Sequence, residues 1–111
     1  MFSESLKKTR DFQVVYRQGK SMANKLLVMY IRANELEKNR LGISVSKKVG
    51  NSVIRHRLTR LVRESYRLSE KRFLQGLDIV IVARTTSKLA TFQEIDSAIK
   101  HLGKLHKIYP K

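Results

Sequence analysis

Cysteine is absent from this chain, which excludes a disulfide framework, a thiolate nucleophile and any thiolate-ligated metal centre. Proline occurs once, at Pro110, and no proline-rich linker, low-complexity tract or internal repeat divides the 111 residues. The chain therefore reads as one domain over residues 1–111, large enough to bury about two-thirds of its unfolded surface. Long apolar runs are missing too. The longest, Leu26 to Ile31, is far too short to cross a bilayer, and the opening MFSESLKK has no apolar stretch of the signal-peptide kind. The expectation is a soluble, unexported, cytoplasmic protein with no membrane partner.

Acids are scarce. Nine Asp and Glu stand against 24 Lys and Arg, a formal net charge of +15, and the partner such a chain suits is a polyanion. A hydrophobic share of 41% with regular apolar spacing is enough for a core and argues against disorder. Residues that could make an active site are thin on the ground. His56, His101 and His106 lack metal-ligand spacing, and His101 and His106 read as helix-surface residues. Asp11, Asp78 and Asp96 are scattered, so a two-metal nuclease is hard to build from them. No catalytic residue and no metal site is expected on the protein; any catalysis has to be supplied by another component.

Periodicity gives the elements. A first helix is expected from about Arg10 to Gln18, with Thr9 as its cap, Phe12, Val15 and Tyr16 on one face and Gly19 ending it. Leu26 to Ala33 reads as a strand that places Leu26, Val28, Tyr30 and Arg32 on one face. After a turn over Asn34 to Arg40, Leu41 to Lys47 alternates Leu41, Ile43 and Val45 against Gly42, Ser44 and Ser46. The small residues would let a helix or a nucleic acid backbone come close. Gly50-Asn51-Ser52 is turn and cap chemistry opening a helix to about Leu68 or Lys71. Asp78 to Arg84 suits a buried central strand, and Thr91 to Glu94 is a capping box before a helix with a buried stripe of Ile95, Ala98, Ile99 and Leu102. The order α-β-β-α-β-α predicts an α/β two-layer sandwich on a small mixed sheet.

The positive charge is concentrated. Lys47 to Arg72 carries nine Lys and Arg against two acids. On the helix, Ile54, Leu58, Leu61, Ser65 and Leu68 lie within about 80° of arc, a seam expected to face the core. His56, Arg60, Arg63 and Arg67 fall within about 60° of one another and roughly 160° from that seam, flanked by Arg55 and Arg57. Arg-rich faces are often only solvated surface. Here few acids neutralise the stripe, most of its cations are arginines suited to bidentate phosphate contacts, and Lys47, Lys48 and Asn51 sit at the helix entrance. Nucleic acid binding is the stronger reading. Phe12, Tyr16 and Tyr30 admit two: core aromatics, or a stacking platform for single-stranded bases close in sequence to Arg17, Lys20 and Arg32.

The run SVSKKVGNSVIRHRLTRLVRE, Ser44 to Glu64, resembles the signature of the bacterial ribonuclease P protein subunit, and Leu6 to Tyr30 and DIVIVAR resemble other parts of that family. The resemblance implies a ribonucleoprotein in which a large RNA, using RNA-bound Mg²⁺, cuts precursor tRNA at its mature 5′ end, with one protein per RNA. It also implies that Lys47, Lys48, Asn51, Arg55, His56, Arg57, Arg60, Arg63 and Arg67 face the catalytic RNA, and that Phe12, Tyr16, Lys20 and Tyr30 hold the substrate's 5′ leader. A left-handed β-α-β crossover is expected on the same ground, against the general right-handed preference. Two positions depart from the family: the usual Arg-Asn-Arg reads Arg55-His56-Arg57, and the Lys common two residues later is Thr59.

Overall fold

The computed structural model describes residues 3–111. In chain order the elements are β1 (Glu4–Ser5), α1 (Thr9–Gln18), β2 (Lys20–Ala23), β3 (Leu27–Ala33), β4 (Arg40–Ser44), α2 (Ser52–Ser69), β5 (Leu77–Ala83) and α3 (Phe92–Leu105). The five strands form one sheet in the order β1-β4-β5-β3-β2, so the most apolar strand, β5, lies at its centre as expected. β4 and β5 are parallel neighbours, Leu41 beside Ile79 and Ile43 beside Ile81, joined through α2. β3 runs antiparallel to both β5 and β2.

Strand alternation divides the core into two. Leu27, Met29, Leu41, Ile79 and Ile81 point to one face, where they bury against α2 and α3; each such side chain contributes about 1.5–3 kcal/mol. Val80, Tyr30 and Val82 point to the other, where α1 brings Val15 and Phe12 onto them. The α/β layering holds, with α1 adding partial cover on the second face. Leu26 does not join Tyr30 there, because the chain is still turning: Asn24 Oδ1 accepts from the Leu26 and Leu27 amides, and Leu26 packs with the first core.

Two strands were not foreseen. β1 is only two residues long and β2, Lys-Ser-Met-Ala, is exposed throughout, so neither carries an apolar alternation. β4 ends at Ser44 rather than near Lys47, where the chain turns. The first helix begins at Thr9 itself; Lys8 is its N-cap residue, and no side chain caps it. Thr91 and Glu94 do form the expected capping box, and Ile95, Ala98, Ile99 and Leu102 are buried.

α2 is turned about its axis from the expected seam. Of that seam Leu58 and Ser65 are buried and Ile54 and Leu61 pack half-buried against the core, but Leu68 is 61% exposed and Val62, Tyr66 and Ser69 are buried in its place, so the fully buried arc is rotated by about 70°. The cause is polar packing. Tyr66 keeps its hydroxyl satisfied inside the fold, 2.8 Å from Ser3 Oγ and 3.1 Å from Asn39 Nδ2, and Ser65 donates to Asp96 Oδ1 of α3 at 2.7 Å. The Ser3 amide and hydroxyl both donate to Glu70 Oε2, at 3.1 and 2.9 Å, which fastens the start of the chain to the end of α2. His106 is no plain surface residue either, since its Nε2 lies 2.8 Å from the Met29 carbonyl.

Candidate nucleic-acid interface

The outward face of α2 is set by its entrance. Asn51 Oδ1 accepts from the Ile54 amide at 3.0 Å, an N-cap that starts the helix. Ahead of it, Lys47 and Lys48 stand exposed in the turn. His56, Arg60, Arg63 and Arg67 then run along the exposed side. Their partners differ. Arg67 is held by Glu64, at 2.5 and 3.1 Å, which raises the Arg67 pKa and holds the Glu64 carboxyl below its usual value. Arg57 Nη2 donates to the Ala90 carbonyl at 2.6 Å. Arg60 and Arg63 have no protein acceptor among the described residues, so their guanidinium donors are free for an external anion.

Arg55 was expected as a flank of the stripe, but the rotated helix leaves it half-buried. Its Nε is enclosed and unpaired, and beside it Ser52, His56 and Thr59 line a hollow of about 230 Å³. Thr59, the departure from the family's Lys, donates its hydroxyl back to the Arg55 carbonyl at 2.9 Å. Two further hollows follow the helix, one of about 700 Å³ beside His56, Arg57 and Arg60, the other of about 440 Å³ reaching Phe92.

The second surface is a cleft on the opposite face of the sheet. Register places Tyr30, Val80 and Gly42 in one row and Val28, Val82 and Ser44 in the next. α1 covers the first row. A Cβ on Gly42 would come within 2.8 Å of the Phe12 ring, and Tyr16 meets Tyr30 edge-on at 4.9 Å between centroids, with Phe12 6.4 Å from Tyr16. The next row stays only half-covered, leaving a recess of about 310 Å³ lined by Lys7, Thr9, Phe12, Tyr16, Ile43 and Ser44. The aromatics pack on one another, with Phe12 and Tyr30 against the second core, and Tyr16 still offers 37% of its surface to solvent.

Lys20 is not brought into this cleft by the strand register. It pairs with Ile31, whose side chain faces the α2 and α3 core, while Ser21 stands beside Tyr30. Sequence reasoning missed what stiffens the cleft floor at its other end. Asp78, almost fully buried, receives Arg40 through two bonds of 2.8 and 2.7 Å and Asn34 at 3.1 Å, with Arg32 at 3.5 Å. Burial alone would push the Asp78 carboxyl up; the bonds from Arg40 and Asn34 and the charges of Arg40 and Arg32 outweigh it and hold the pKa below the ordinary value. The signal available was a lone Asp near the start of an otherwise apolar strand.

Among the described residues no three His, Asp or Glu side chains gather as a metal ion would require, and no helix is long and apolar enough to cross a membrane. The chemistry on offer is cationic and aromatic: phosphate contacts on one face, stacking in a cleft on the other.

Comparison with known proteins agrees on one family. The ribonuclease P family model matches residues 2–107. A relative from Lachnoclostridium phytofermentans, named ribonuclease P protein component, is 65% identical over 106 residues, covering 96% of this chain and 91% of its own. Among solved structures, the ribonuclease P protein of Staphylococcus aureus is 38% identical with a TM-score of 0.89, covering 96% of this chain and 98% of that one. That of Thermotoga maritima is 31% identical with a TM-score of 0.83, covering 91% and 96%. A crossover of the opposite hand could not be superposed so closely over almost the whole chain, so β4-α2-β5 takes the same hand as in those proteins. On a match of this length, with identity and fold in agreement, the chain belongs to the ribonuclease P protein family.

Proposed function

We propose that this protein acts as the protein subunit of ribonuclease P by holding two RNAs on its two faces. The outer face of α2, with Lys47, Lys48, Arg55, His56, Arg57, Arg60, Arg63 and Arg67, docks the catalytic RNA, and Asn51 serves that face by capping the helix. The cleft between α1 and the sheet holds the single-stranded 5′ leader of precursor tRNA against Phe12, Tyr16 and Tyr30. Lys20 contributes from the edge strand by long-range charge. The RNA performs the hydrolysis with Mg²⁺ that it binds itself, one protein serves one RNA, and the assembly works in the cytoplasm.

The observation that carries this reading is the separation of the two chemistries. Free arginines lie on one side of the sheet and partly exposed aromatics on the other. Phosphate contacts anchor without reading sequence, and aromatic stacking accepts any base, which suits a constant RNA partner and leaders of varied sequence. The deciding experiment is reconstitution with a bacterial ribonuclease P RNA at low Mg²⁺. Cleavage of precursor tRNA should need both components at that concentration. Cleavage by the protein alone, or an RNA left unstimulated, would refute the proposal.

A further inference from the structure

Phe92 is a half-buried aromatic that belongs to no core. It opens α3, yet it packs into neither apolar cluster, and among the described residues its ring pairs with no other ring. What surrounds it is cationic. Together with Leu61 it forms the apolar wall of the hollow of about 440 Å³ whose other lining comes from Arg57, Arg60, Arg63 and Glu64.

The backbone that carries Phe92 is fixed against α2. The capping box of Thr91 and Glu94 sets the first turn of α3 and so the Phe92 backbone, and the bond from Arg57 to the Ala90 carbonyl ties that turn to α2. Glu64 would repel a phosphate, but Arg67 neutralises it. Arg60 and Arg63 remain without a protein acceptor among the described residues. A stacking face, an apolar floor and two free guanidiniums form the set that recognises one unstacked nucleotide: the base lies on the ring and the phosphate meets the arginines. A duplex backbone could use the arginines, but it offers no base face to Phe92. The volume lies within the range of small-ligand sites, roughly 300–1,000 Å³.

We infer that the recess between Phe92 and the arginines of α2 captures a single splayed-out nucleotide of the RNA docked on α2. This rests on the reading of α2 as the RNA-docking face, and gives that face a point of registry that phosphate contacts alone lack.

The chain contains no tryptophan, so Phe92→Trp introduces a single indole as a reporter. With a bacterial ribonuclease P RNA as probe, its emission should be strongly quenched on binding, while Leu89→Trp, at a site 84% exposed in the same segment, should change little. Phe92→Leu should weaken RNA binding roughly five- to hundredfold, with unchanged circular dichroism. It should also expose one unpaired nucleotide to 2′-hydroxyl acylation that the wild type protects. Equal quenching at both tryptophans, or Phe92→Leu binding within about twofold of wild type, would overturn the inference and leave α2 as the docking face. Should the wild-type protein fail to bind the RNA at all, both readings fall together. Were Phe92→Leu to unfold, the contrast between the two tryptophan variants decides alone.

Discussion

The Phe12 ring lies directly on Gly42, so that a methyl group added there would approach two ring carbons to 2.8 Å and Leu6 Cδ1 to 3.2 Å. Gly42 is thus the seat on which α1 rests. Gly42→Ala should lift the helix and open the cleft, at a stability cost of about 1–3 kcal/mol. In steady-state assays, KM for leader-bearing precursor tRNA should rise while affinity for the catalytic RNA holds. Unchanged KM would mean that the ring moves aside without consequence.

The two faces should fail separately. Arg60→Ala removes a free guanidinium from α2 and should weaken assembly with the catalytic RNA, lowering the slope of log affinity against log salt by about 1. Tyr16→Ala should instead cost roughly 1–3 kcal/mol of substrate binding, and only for substrates that carry a leader. Equilibrium binding of each variant to each RNA checks this; identical losses would contradict two surfaces.

Asn51 joins stability to binding in a way that can be taken apart. Asn51→Ala loses the cap on α2 and should cost about 1 kcal/mol, a fall of roughly 4–6 °C in Tm. Asn51→Asp keeps the cap and adds a favourable charge at the helix start, so it should melt near the wild type. Its carboxylate beside Lys47, Lys48 and Arg55 should nevertheless weaken RNA binding. Melting and binding measured on both variants would separate the roles, and parallel losses would not fit.

The cleft floor should be sensitive to acid. The Asp78 pKa lies below its ordinary value of 3.8 in the folded protein. Its contribution is therefore complete above that value and is lost as pH falls through the lower folded one. Asp78→Asn leaves Arg32 and Arg40 without their counter-charge and should destabilise at pH 7 by roughly 2–3 kcal/mol, less than for a fully enclosed pair because both arginines stay partly exposed. Urea melts at neutral and strongly acid pH should show the gap between wild type and variant closing in acid. A constant gap would mean that the carboxylate charge is not what matters.

Much of this was legible in the sequence, and the misses share a cause. Period-two patterning placed β3 and β4, a continuous apolar run placed β5, and cap chemistry placed α3, because those signals are local. β1 and β2 have no apolar pattern; they exist because β4 and β3 offer them an open edge. The buried face of α2 was misjudged at Tyr66, which goes inward only when Ser3 and Asn39 satisfy its hydroxyl from afar, and at Ser69, whose hydroxyl is met by the Ser65 carbonyl of its own helix. Hydrophobicity alone ranked Leu68 above them. The aromatic trio was found by spacing, whereas Phe92 looked like part of a capping segment until α2 was placed beside it.

The sheet that divides the two faces has one further effect. Nothing but this sheet and the helices against it stands between the cleft and the arginines, in a molecule whose smallest extent is 24 Å. The protein is then a gauge block. In the arrangement proposed above, with the catalytic RNA on one side and the leader on the other, its thickness sets the stand-off between them, so which leader nucleotide reaches Tyr16, counted from the cut, should follow from the depth of the fold and not from the leader's sequence.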